Sequence, residues 1–153
     1  MLDQLLIGVA LTLICILVSG LGFWFTETLF TTYQGWLMRP PHRVKLLFVV
    51  TGAGAVVLAV VLAGVAIWAW TLRWYRLFGD FETSFYYSLV SYTTVGYGDV
   101  LPAGEWRILG AMAAANGFIN IGLLTTLLIR GLHYVREGYA RSHEDKDDEE
   151  EKG

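Results

Sequence analysis

Apolar residues are gathered into three long blocks. The first runs from about Leu5 to Phe25 without a charge, the second from Leu46 to Leu72 between Lys45 and Arg73, and the third from Ile108 to Ile129 between Arg107 and Arg130. About 20 apolar residues in a helix cross the hydrocarbon of a bilayer, so each block predicts a transmembrane helix. Between the second and third blocks, "DFETSFYYSLVSY" predicts a shorter helix. Asp80 suits its N-cap and Glu82 its first turn, where unpaired amides favour negative charge. After the first block, "TETLFTTYQGWLM" sets Leu29, Phe30, Tyr33, Trp36 and Leu37 on one helical face. That pattern predicts an interfacial helix or a continuation of the first span. "RPPHR" then ends it, because proline cannot continue a helix.

The predicted organisation is an N-terminal transmembrane helix over 1–26 and a cytoplasmic or interfacial linker over 27–43. An outer helix over 44–73, a short helix over 80–92, a third span over 104–136 and a tail over 137–153 follow.

Composition narrows the class. Of 153 residues, 55% are apolar or aromatic and 16% are charged, with a mean hydropathy of +0.50. That is too apolar for an ordinary soluble domain of this length. The net charge of −3 is concentrated in the closing "HEDKDDEEEKG", which reads as a solvated acidic tail too short for a gating domain. The remaining body carries few basic residues, which argues against nucleic acid as a partner. Cys15 is the single cysteine and lies in an apolar run, so it reads as a small packing residue. The opening "MLDQ" lacks Lys and Arg, so the first block is read as a retained helix and not a signal peptide. No carboxylate pair or nucleophile–base set lies in the spans, so neither an enzyme nor a small-molecule substrate is expected.

Charge also orients the chain. Arg39, Arg43 and Lys45 follow the first span, and Arg130, Arg136 and Arg141 follow the third. Cytoplasmic loops collect Lys and Arg, so these regions are expected inside, with the N-terminus and the 73–107 segment outside. Ala55, Ala59 and Ala63 form a small-residue stripe suited to close helix contact. Asn116 and Asn120 stand one turn apart in the third span. Their two readings are hydrogen bonding between helices and, for Asn120, lining of an internal cavity.

"TTVGYGD", Thr93 to Asp99, follows the short helix. Non-helical backbone at membrane depth is tolerated only within protein or along a water-filled cavity. The stretch "VSYTTVGYGD", behind an aromatic helix and between two spans, resembles the selectivity filter of potassium channels. The resemblance covers roughly Lys45 to Arg136, so residues 44–136 look like a potassium-channel pore domain.

The resemblance implies an all-α membrane protein: three transmembrane helices, a re-entrant pore helix and a filter, four copies around one axis in a bilayer. It implies passive K⁺-selective conduction across a plasma membrane of prokaryotic type, with K⁺ as the permeant ion. Ion-binding oxygens would come from the carbonyls of Thr94, Val95, Gly96, Tyr97 and Gly98 and from the Thr94 hydroxyl. Val90 stands where some bacterial relatives carry a glutamate, so Asp99 needs another donor, and Tyr87 is expected to supply it. Gly117 lies near the position where such channels bend the inner helix, with Phe118 one residue away. The same one-residue uncertainty leaves Ile129 or Arg130 facing the axis. The first span carries no arginine, so it reads as a packing helix and not a voltage sensor. The rival readings are a weakly selective cation channel and a non-conducting regulatory subunit.

Overall fold

The computed structural model describes residues 1–37, 42–126 and 129, all within helices or the short connections between them. The chain folds as α1 (Leu2–Leu37), α2 (His42–Trp74), α3 (Phe81–Tyr92), a 3-10 turn (Gly104–Trp106) and α4 (107–126). Three segments are long and apolar enough to span a membrane: Leu2–Leu29, Leu47–Trp74 and Gly104–Thr126. The protein is thus an all-helical, multi-pass membrane protein. Of the two readings for residues 27–37, a continuation holds: α1 runs on unbroken, and its 36 residues make a rod of about 54 Å. The "RPPHR" break, the inner part of the third span beyond 126 and the acidic tail fall largely or wholly outside the described residues.

The connection from α2 to α3 is tightly specified. Arg76 takes φ +54, the Leu77 amide donates to the Leu72 carbonyl, and the Arg76 amide donates to the Arg73 carbonyl, both at 3.0 Å. This is a Schellman motif, with arginine where glycine is usual. Leu72 and Leu77 belong to the same apolar cluster, the hydrophobic contact that accompanies such caps. Asp80 then caps α3, its Oδ1 accepting from the Thr83 amide at 2.7 Å and its Oδ2 from the Thr83 hydroxyl at 2.8 Å. The Thr83 amide, with its hydroxyl, holds the Asp80 carboxyl below the ordinary carboxylate range.

One core draws on every helix. Leu11 and Cys15 of α1, Val65, Trp68 and Leu72 of α2, Tyr87 and Tyr92 of α3, and Leu109 and Ala113 of α4 pack together. Glycines let backbones approach where lipid offers no hydrophobic drive to association. Gly64 lies against the Tyr92 hydroxyl, and Gly110 lies against the Tyr87 hydroxyl. Gly117 receives the Tyr92 carbonyl so closely that a methyl group there would overlap it. The expected alanine stripe does not serve within the chain, since Ala55 and Ala59 are exposed.

Candidate functional site

α3 ends at Tyr92, and the chain leaves it as an extended strip. The Thr93 amide and hydroxyl both turn back on the Leu89 carbonyl, at 3.0 and 2.7 Å. The next amides follow suit. Thr94 donates to the Ser91 carbonyl at 2.9 Å, while Val95 and Gly96 donate to the Val90 carbonyl at 3.1 and 3.2 Å. Three successive N–H groups therefore satisfy carbonyls that the end of a helix leaves unpaired.

Backbone handedness alternates along this strip. Thr94, Gly96 and Gly98 have φ of +61, +59 and +77, while Val95 and Tyr97 stay on the negative side. In an ordinary strand, successive carbonyls point to opposite sides. Alternating left- and right-handed residues turn them all to one side. Glycine adopts positive φ without penalty, whereas Thr94 takes it with a Cβ present. Among the described residues, no hydrogen bond ends on a carbonyl of Thr94 to Gly98. The strip is exposed on a single protomer, Tyr97 at 72%. Behind it opens a cavity of about 280 Å³, bordered by Tyr86, Val90, Thr94, Asp99 and Gly110.

Asp99 closes the strip, and here the structure corrects the expectation from sequence. Its carboxylate accepts from the Tyr86 hydroxyl at 2.6 Å, not from Tyr87. The Tyr86 hydroxyl draws the Asp99 carboxyl below its ordinary range, and the bond pushes the Tyr86 phenol up. Tyr87 points about 100° around the helix from Tyr86, so its ring meets Phe78 at 5.0 Å and its hydroxyl meets Gly110. Two adjacent tyrosines carry the same chemistry, and only the direction of α3 separates them.

Asn120 is the second correction. It is fully buried within one chain, so it does not line a cavity on an axis shared between copies. Its Oδ1 accepts from the Ser19 hydroxyl of α1 at 2.5 Å, and its Nδ2 donates to Asn116 Oδ1 at 2.7 Å. Asn120 makes the hydrogen bond between helices, whereas among the described residues Asn116 bonds only within α4 and its buried Nδ2 has no partner. Gly117 is explained by the close approach of Tyr92, whereas Phe118 is 73% exposed. Ile129 is half exposed, and Arg130 lies outside the described residues. Ser19 escaped the sequence reading, because one serine in an apolar helix carries no signal of its partner.

Comparison with known proteins gives this geometry a family. The sequence model of an ion channel family matches residues 56–133, about half of the chain. The chain belongs to this ion channel family. A Shaker-related potassium channel, tsha2 of Oncorhynchus mykiss, is 32% identical over 74 residues. That match takes in 48% of this chain and 14% of the relative, so the chain spans a small part of the curated protein it resembles. No solved structure gives a significant match. The family match includes α3, the strip and α4, and begins within α2. The Tyr86–Asp99 bond lies inside it; α1 and Ser19 lie before it.

Proposed function

We propose that four copies of this chain surround one axis and conduct K⁺ passively and selectively across a plasma membrane. The observation that carries this reading is the strip from Thr94 to Gly98. Its amides turn back on α3, its handedness alternates, and its carbonyls accept nothing within the chain. A dehydrating cation needs its water oxygens replaced, and rings of backbone carbonyls do this in potassium channels. One strip cannot encircle an ion, so the exposed strip calls for copies around an axis. The carbonyls of Thr94, Val95, Gly96, Tyr97 and Gly98 and the Thr94 hydroxyl would hold K⁺. α3 acts as the pore helix, its negative C-terminal end favouring a cation nearby. The match to a protein named as a Shaker-related potassium channel supports K⁺ as the ion. The Lys and Arg asymmetry supports an N-terminus outside and an acidic tail in the cytoplasm.

Purified protein in liposomes tests the reading. K⁺ flux should far exceed Na⁺ flux, and external Ba²⁺ should block it. Equal Na⁺ flux would favour a weakly selective cation channel, and absence of flux a non-conducting subunit.

A further inference from the structure

Two residues of α1 and two of α4 meet in the interior at matched spacing. Cys15 and Ser19 stand one turn apart on α1, and Asn116 and Asn120 one turn apart on α4, all buried. Ser19 Oγ donates to Asn120, which donates to Asn116. Cys15 packs in one buried cluster with Trp68, Tyr92 and Ala113. Nearer the start of both helices Gln4 joins them again, donating to the Glu105 carbonyl and accepting from the Leu109 amide at 3.3 Å. The other α1 hydroxyls do not reach across: Thr12, Thr26 and Thr28 each bond a carbonyl of their own helix.

The stretch of α4 that carries Asn120 packs against the filter's root. Tyr92 is the last residue of the pore helix, two positions before Thr94, and its hydroxyl lies against Gly64 of α2. On the same helix as Asn120, Gly117 receives the Tyr92 carbonyl. The backbone of Tyr92 is thus seated on α4 at Gly117, within one turn of Asn120. The orientation of Asn120 in that stretch is set from α1. The Ser19 hydroxyl has two acceptors in reach, the Cys15 carbonyl of its own helix at 3.0 Å and Asn120 Oδ1 at 2.5 Å, and the shorter contact is the one between helices.

We propose that α1 positions the inner end of the filter through Ser19, which fixes Asn120 and with it the stretch of α4 on which the Tyr92 backbone rests. This rests on the conduction reading above, and it makes α1 a positioning element of the pore instead of a packing helix alone.

The test uses the full chain in planar bilayers, with the K⁺ concentration that sustains current and the Na⁺/K⁺ permeability ratio as readouts. Ser19→Ala should raise that K⁺ requirement about 3- to 18-fold, the range given by loss of one hydrogen bond between membrane helices. Ser19→Thr, which keeps the hydroxyl, should restore it. Ser19→Cys, nearly isosteric and a weaker donor, should fall between and serves if the alanine variant does not assemble. Thr12→Ala, which deletes an α1 hydroxyl bonded only within its helix, should behave as wild type. Unchanged K⁺ dependence and permeability ratio in Ser19→Ala or Ser19→Cys would overturn the proposal, even if thermal stability fell. Absence of K⁺ flux in the wild type would sink the conduction reading itself, whereas wild-type flux with unaltered Ser19 variants sinks only the role of α1.

Discussion

The Tyr86 hydroxyl donates to the Asp99 carboxylate across 13 positions of sequence, at 2.6 Å. The bond ties the Asp99 end of the strip to the first half of α3, while the amides of Thr94 to Gly96 tie its Thr94 end to the last turn. The strip is therefore held at both ends by one short helix. Tyr86→Phe keeps the ring and deletes the donor. K⁺ current in that variant should decay several-fold faster than wild type as external K⁺ is lowered. Tyr87→Phe should leave the decay unchanged, and an equal effect of the two would remove the special role of Tyr86.

The pH dependence of this anchor follows from the lowered Asp99 carboxyl. A carboxyl depressed in the folded state contributes fully above the unfolded value, about pH 3.9, and its contribution is lost as pH falls through the lower folded value. Current stability should therefore be flat between external pH of about 7 and 5, and should decline only in stronger acid. A midpoint near neutrality would point to a different titrating group.

Gly96 takes φ +59, with open space where a side chain would stand in the single chain. The cost of Gly96→Ala is thus a matter of backbone handedness, about 1–2 kcal/mol in each copy. That strain should tip the residue out of the alternating pattern and abolish K⁺ flux while leaving the purified assembly intact by size-exclusion chromatography. Normal flux would show that the handedness at this position is dispensable.

Gly117 and Gly122 separate packing from bending on α4. A Cβ at Gly117 would run into the Tyr92 carbonyl, whereas nothing lies within 4 Å of one at Gly122. Gly117→Ala should destabilise the folded protein by about 1–3 kcal/mol. Gly122→Ala should be neutral or stabilising, since alanine is the better helix former by about 1 kcal/mol. Thermal unfolding in detergent compares them directly, and equal melting temperatures would refute the contact.

Arg76 is an arginine in a left-handed position that glycine occupies freely. Arg76→Gly should stabilise the turn between α2 and α3 by about 1 kcal/mol, raising the melting temperature without altering flux.

Orientation is open to cysteine labelling, because Cys15 is buried and gives little background. Leu101 is 70% exposed after the strip, and Leu101→Cys should react with an impermeant maleimide on intact cells. Ser142→Cys, in the acidic tail, should react only after permeabilisation. Reaction of both from one side would mean that the third segment does not span.

Hydrophobic length and local chemistry were legible in the sequence because each is a property of a contiguous stretch. Three spans follow from runs of about 20 apolar residues, the Asp80 cap from an acid ahead of a short helix, and the strip from the resemblance of "TTVGYGD" to potassium-channel filters. The direction each helix faces was not legible. Lipid is as apolar as a protein core, so a membrane helix lacks the polar face that reveals orientation in a soluble one. Tyr86 and Tyr87 are chemically alike, and about 100° of rotation per residue decides that one reaches Asp99 and the other Gly110. The same rotation buries Asn120 against Ser19, two residues 101 positions apart whose meeting no local pattern encodes. Only the packing of α1 against α4 brings that serine to that asparagine, because the Ser19 hydroxyl also has the Cys15 carbonyl of its own helix in reach and its sequence alone does not choose between them.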